Sequence, residues 1–344
     1  MFIYCGSTLS DTNGQNLISE EVIAITTPDR TFMYTPGSSI ISILSVIKYY
    51  LYVYFTCIIN KNVSIYLVVS RSTLGFWRDT PILLLSLFNV KIVTHAHGSE
   101  ITELLTGRWY SHLALYLYKK TQLIVPSNHL LSALSNHPSV HVIENFSKFQ
   151  PAALRTGEPF KYHIYWNSNL VYSKGILEFF TALQKYEEKF PNTPLQIAIV
   201  GTFLTDEYMS AVKLKGYFHS RISAFKHIKI HYFGPVSSDQ SRKILLKSNA
   251  VILPSFYNSE CQPLAIIEAM ICKKYVIVND TPALRATIGS YPHAEVVEHS
   301  SLFDAIHRVC LITGDLSLTR EQEANLIDRF SRSTFYQKVS EIVK

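Results

Sequence analysis

Short apolar runs rich in β-branched residues alternate along the chain with segments of helical period. Strand-length runs fall at Phe2–Cys5, Ser64–Val69, Lys91–His95, Gln122–Val125 and His141–Ile143. A second series comes at Tyr162–Trp166, Gln196–Val200, Ile228–Phe233, Ala250–Leu253 and Tyr275–Val278. Most are continuously apolar rather than alternating, as strands buried on both faces of a parallel sheet are. Strand and helix taking turns predicts βαβ units in doubly wound sheets. The segment Phe146–Phe160 is polar, carries proline and has no period, and the alternation restarts at Lys161, so two sheets fit better than one. The expected division is an α/β domain over 1–157 and a second over 158–324. A helical tail, about 325–344, is expected to pack back on the first. Ligands of open α/β sheets bind beyond the carboxyl ends of the strands, so the loops after these strands are where chemistry is expected.

Ser39 to Ile59 breaks the pattern: 21 residues, apolar around the whole circumference, with Lys48 as their one charge. Its length suits a bilayer span, a buried helix or a membrane-surface helix. The aromatic cluster Tyr49–Phe55 favours an interfacial position over a bilayer midplane. Composition keeps the chain globular, with 47% hydrophobic and 17% charged residues. The net charge of +6 holds no basic block, which argues against nucleic acid and permits an anionic membrane surface. Five cysteines, an odd and widely spaced number with no CxxC, favour a reducing compartment over a disulfide framework or zinc site. The start lacks the basic-then-apolar order of a signal peptide.

Four blocks carry candidate chemistry. In Ala250–Met270 an apolar strand ends at Pro254-Ser255, a polar loop bears Glu260, and a helix starts near Pro263 with Glu268 about one and a half turns in. A helix N-terminus favours an anion. A carboxylate on its second turn could accept from both hydroxyls of a ribose diol, and the loop carboxylate from sugar hydroxyls. Glu268 lies within the apolar run LAIIEAMI, where an acid without a partner is rare. In Tyr162–Leu183, Lys174-Gly175 precedes a helix; a lysine there opposes the dipole and calls for an anion such as a diphosphate. In Lys91–Glu100 a buried strand ends in His95-Ala96-His97-Gly98, with His95 expected in the core. In Gly6–Asn16 a glycine-bearing loop comes directly after the first strand and permits close backbone approach.

The span Glu260 to Met270, a Glu-x7-Glu pair ending in Glu-Ala-Met, resembles the signature of the retaining glycosyltransferases of GT-B fold, family 4. The resemblance implies two Rossmann-like doubly wound domains facing across a cleft. It implies that Glu260 contacts the transferred sugar, Glu268 holds the ribose, and the backbone at Pro263 and Leu264 approaches sugar and diphosphate. Lys174 matches the family's diphosphate lysine. The family's arginine is replaced by Asn169, which brings neither charge nor fork, so more of the leaving charge falls to Lys174 and the helix N-terminus. His97-Gly98 matches the residues that touch the donor sugar. Gly14 and Gln15 match the loop facing donor phosphate and acceptor, and Phe233–Val236 the loop beside the base, with Val236 donor-binding. Ser70-Arg71-Ser72 through Arg78-Asp79 looks like the bacterial surface-polysaccharide (O-antigen or capsule) members.

The activity implied by the resemblance is transfer of a sugar from a nucleoside diphosphate sugar, with retention and no metal or other cofactor. The catalytic set is Glu260, Lys174 and His97. The acceptor is expected to be a lipid-linked oligosaccharide, and the place a peripheral one on the cytoplasmic face of a bacterial inner membrane. A non-catalytic sugar-nucleotide-binding subunit and a GT-B epimerase are the alternatives.

Overall fold

Among the described residues twelve strands form two six-stranded sheets, parallel throughout. The computed structural model describes residues 1–8, 14–37, 39–70, 72–149, 160–312 and 316–343. The chain divides into two units, Met1–Asn145 with Arg332–Lys344 and Phe146–Ser331. The expected boundary at 157/158 lies outside the described residues.

In the first unit the strands are β1 (Phe2–Ser7), β2 (Arg30–Tyr34), β3 (Ser64–Val68), β4 (Lys91–His95), β5 (Gln122–Val125) and β6 (Val140–Val142), in the order β2-β1-β3-β4-β5-β6. Its helices are α1 (Gly14–Thr26), α2 (Ile40–Ile59), α3 (Thr73–Leu84), α4 (Glu100–Thr106) and α5 (Ser111–Tyr118). In the second unit β7 (Tyr162–Asn167), β8 (Leu195–Val200), β9 (Ile228–Tyr232), β10 (Ser248–Leu253), β11 (Tyr275–Asn279) and β12 (Ala294–Val297) run in the order β12-β11-β10-β7-β8-β9. Between and after them come α6 (Ile176–Lys189), α7 (Ala211–Ala224), α8 (Ser238–Leu246), α9 (Leu264–Ile271), α10 (Pro282–Ile288), α11 (Leu302–Cys310) and α12 (Arg320–Arg329). The last helix, α13 (Arg332–Val343), packs on α1 in the first unit.

The ten expected strands are present, and β2 and β12 are two that the apolar runs did not mark. Both are edge strands. An edge strand has one neighbour and half its surface free, so it needs no continuous apolar run. Arg30 and Thr31 are exposed in β2, and only Val297 is buried in β12. In the second unit both sheet faces are covered. Ile164 and Trp166 of β7 face a core with Phe179, Phe180 and Phe218 of α6 and α7. Tyr165 joins the opposite core, with Ile266 and Met270 of α9.

A core position for the 39–59 segment is overturned. Its helix, α2, buries Ser42, Tyr49, Val53 and Thr56 and leaves ten large apolar side chains exposed.

Candidate functional site

Strand order reverses in the second sheet between β7 and β10, whose outer neighbours are β8 and β11. The crevice beyond the carboxyl ends at such a switch point is where open sheets bind ligands. Two loops leave that point, one from β7 toward α6 and one from β10 toward α9.

The β7 loop is pinned before it reaches Lys174. Asn169 Oδ1 accepts from the Thr202 N–H at 3.2 Å, and Leu170 bridges to Phe203. The Ser173 N–H donates to Asp206 at 2.8 Å, and the same carboxylate accepts from the N–H groups of Tyr208 and Met209. Lys174 ends a short 3-10 turn, and Gly175 comes next at φ +83°. A Cβ at Gly175 would lie 2.2 Å from the Pro254 carbonyl oxygen, so the two loops touch backbone to backbone. The Phe256 N–H donates to the Ser173 carbonyl at 2.9 Å, a second link between them.

The β10 loop brings Glu260 to Lys174. The Lys174 ammonium donates to Glu260 Oε2, and both side chains are largely buried. Ser255 Oγ donates to the same oxygen at 3.1 Å and accepts the Tyr257 N–H at 3.2 Å. Lys174 Nζ also lies 5.4 Å from the centre of the Tyr257 ring. His299 Nε2–H donates to the Pro254 carbonyl at 3.0 Å.

Helix α9 opens at this place. Pro263 is its N-cap and makes no side-chain capping bond; the helix proper begins one position later, at Leu264, than the start expected near Pro263. The N–H groups of Leu264 and Ala265 belong to the first turn, which the helix itself cannot satisfy. The helix therefore offers donors and the positive end of its dipole. Glu268 sits on the second turn of α9, half-buried, and loss of solvent pushes its carboxyl up to about 7.

Val236 lies just after β9, half-buried against the core that holds α9. Its loop is tied back through the Gly201 N–H to the Gly234 carbonyl (3.0 Å) and the Tyr232 hydroxyl to the Gly201 carbonyl (2.9 Å).

In the first unit His95 is fully buried at the end of β4 and His97 half-buried just beyond it. The Tyr66 hydroxyl is hydrogen-bonded to His95 Nδ1, and the two histidine rings lie 4.2 Å apart. Burial holds His95 well below the usual imidazole range, so it is neutral at pH 7. Gly14 and Gln15 open α1; the preceding loop residues 9–13 lie outside the described residues, as does Arg71. Arg78 pairs with the buried Asp79 (Nη2–Oδ1 3.1 Å) and lies 4.0 Å over the Tyr34 ring.

The second unit thus gathers Asn169, Lys174, Glu260, Pro263, Leu264 and Glu268 around one switch point. Sequence reasoning missed Asp206, Ser255 and Tyr257. Asp206 had one signal, an acid four residues before a serine-capped helix start, but nothing in the chain links it to Ser173.

Residues 153–312 match the family described as Glycosyl transferases group 1. A glycosyltransferase from Rickettsia africae is similar in structure, with TM-score 0.72 and 17% identity over 100% of this chain and 98% of that one. HepE from Anabaena, solved in complex with UDP-glucose, has TM-score 0.69 and 15% identity over 99% of this chain and 98% of that one. Sucrose-phosphate synthase from Thermosynechococcus elongatus has TM-score 0.65 and 15% identity over 100% and 95%. At such identities the likeness is one of fold, and the fold is GT-B, two Rossmann-like domains. No curated protein matches the chain.

Proposed function

We propose that this chain is a retaining glycosyltransferase that moves a sugar from a nucleoside diphosphate sugar to a hydroxyl of a lipid-linked saccharide in bacterial surface-polysaccharide synthesis. It works without a metal ion, on the cytoplasmic face of the inner membrane. The observation that carries this reading is the meeting of the Lys174–Glu260 pair with the N-terminus of α9 at the β7/β10 switch point. The match to a glycosyl transferase model over 153–312 supports it, as does the likeness to structures solved with UDP sugars.

In this reading the diphosphate lies between Lys174 and the first turn of α9. Negative charge grows there as the glycosidic bond breaks, and groups already aimed at that position lower the barrier. Lys174 exchanges Glu260 for the diphosphate, and the freed Glu260 accepts from hydroxyls of the transferred sugar. Glu268 accepts from the ribose diol. Asn169, whose Oδ1 is taken by the backbone, offers its Nδ2 donors where the family has an arginine. Val236 lies beside the base, His97 reaches the donor sugar, and Gly14 and Gln15 face phosphate and acceptor. Departure and attack on the same face preserve the anomeric configuration. The absent arginine favours one rival, a binding subunit without turnover.

A thermal-shift panel of UDP, GDP, dTDP, CMP and ADP tests the donor site. One nucleotide at 100 times its dissociation constant is expected to add about 2.7 kcal/mol, with no shift in Glu268→Ala. No shift from any nucleotide in the wild type overturns the donor site. Lys174→Ala is expected to lower transfer roughly 10²- to 10³-fold with nucleotide affinity changed far less. Binding without transfer in the wild type, given donor and a lipid-linked acceptor, leaves the binding subunit.

A further inference from the structure

Helix α2 carries its apolar surface outward. Ile40, Leu44, Ile47, Leu51, Phe55 and Ile58 recur at helical spacing along one stripe, all exposed, with Ile40 at 76% and Ile58 at 80%. The opposite side packs on the first unit. The Tyr50 hydroxyl donates to the Arg78 carbonyl, and the Tyr54 hydroxyl to the Pro81 carbonyl at 2.6 Å, so α2 is fastened to α3. A helix held in this way is part of the unit's wall. Further exposed apolar side chains stand on α3 and just before α5. Leu74 is 83% exposed and Trp109 84%, and the Trp109 ring lies 5.9 Å from that of Trp77. Exposed apolar side chains grouped in this number, rather than scattered singly, mark an interaction site.

Charge selects the occupant. α2 holds no acidic residue. Lys48, within the helix, extends over the Tyr52 ring, as a lysine does when its stem lies along apolar surface and its head reaches for water. Lys61 stands just after α2, and Lys119 and Lys120 just after α5, all three exposed. Among the described residues none of these four lysines is in an ion pair. A second copy seated by two-fold symmetry places a surface against itself, lysines facing lysines. Exposed aromatic and aliphatic side chains, on helices that carry an unpaired lysine or are followed by one, match the acyl and headgroup layers of an anionic bilayer instead.

We infer that the α2–α3–α5 face, built on the Ile40–Ile58 stripe with Trp77 and Trp109, is a monotopic docking surface for anionic lipid. It deepens the reading of a lipid-linked acceptor and rests on that reading for its purpose. The test therefore uses vesicles that contain no saccharide acceptor.

The full chain is floated with vesicles of phosphatidylcholine alone and of phosphatidylcholine with 30% phosphatidylglycerol. Wild type is expected to float with the anionic vesicles and several-fold less with the neutral ones. The double variant Leu51→Glu/Phe55→Glu is expected to lose roughly tenfold or more of that partition. Val212→Glu, an exposed apolar position on α7 of the second unit, is expected to lose none. A second readout needs no disruptive variant. Of the three tryptophans, Trp166 is core, so brominated lipid is expected to quench wild-type fluorescence and to leave Trp77→Phe/Trp109→Phe unquenched. The surface is overturned if wild type ignores both vesicles, if quenching survives in the double tryptophan variant, or if Leu51→Glu/Phe55→Glu turns a soluble dimer into a monomer with vesicle binding intact. Vesicle binding with no transfer to any lipid-linked acceptor overturns the acceptor reading alone.

Discussion

Glu268 is the residue whose energetics point most directly at a ligand. Its neighbours Ile266, Ile267, Ala269 and Met270 are buried, and its carboxyl titrates at about 7 rather than its ordinary 4.5. The folded protein holds this proton more tightly than the unfolded chain does, so stability is lost as pH rises from about 4.5 through about 7. Ionising the group above that range costs stability, at roughly 1.4 kcal/mol per pKa unit before its partial exposure is discounted. A ribose diol that donates to the carboxylate returns some of it. Glu268→Gln is accordingly expected to raise thermal stability at pH 8 by about 1–3 kcal/mol while weakening nucleotide binding. In the wild type, nucleotide affinity is expected to rise roughly fivefold to tenfold from pH 6 to pH 8, and in Glu268→Gln to stay flat over that range. Calorimetric titration at the two pH values checks it, and an equal slope in both proteins overturns the role. This residue was legible in the sequence because an acid in an apolar helical run is costly. The Lys174–Glu260 pair was not, because 86 positions separate its members and only the parallel pairing of β7 with β10 brings their loops together.

Gly175 joins residue chemistry to element geometry. It caps α6 in the left-handed region, and any side chain there would strike the Pro254 carbonyl. The contact fixes the β7 loop against the β10 loop and so sets where Lys174 projects. Gly175→Ala is expected to cost about 2–4 kcal/mol, from backbone strain together with overpacking, and to lower transfer by more than it lowers nucleotide affinity. Denaturant unfolding and a kcat-against-KM comparison check this; an unchanged midpoint would show that the two loops are not locked there. The other elements were readable in proportion to their burial. Central strands such as β8 and β10 announce themselves through the buried apolar runs Ile197–Val200 and Ala250–Leu253. The edge strands β2 and β12 do not, since half of their surface meets water. Helix α2 shows the limit of pattern reading: an all-round apolar helix looks the same whether protein or lipid covers it, and the fold alone reports which side the protein covers.

At the scale of the whole molecule, chain order and unit order differ. The chain leaves the first unit at Asn145, builds all of the second, and returns with α13. That return is fastened by Phe335 and Val339, both buried, and by an ion pair from Arg332 to Glu21 at 2.6 Å. Each sheet has its own core, and the β7 and β10 loops, with the residues proposed to hold the donor, both belong to the second unit. Ligand linkage acts on the unit whose native state binds. Scanning calorimetry is therefore expected to resolve two transitions. A bound nucleoside diphosphate at 100 times its dissociation constant should raise one of them by about 2.7 kcal/mol, a shift of roughly 5–10 °C for a unit of this size. Val339→Ala removes buried apolar volume from the α13–α1 contact. It is expected to lower the other transition by about 1–3 kcal/mol and to leave nucleotide affinity unchanged. If one cooperative transition moves with both the nucleotide and the Val339 substitution, the units unfold together. If nucleotide affinity falls with Val339→Ala, the reading that confines nucleotide binding to the second unit is overturned.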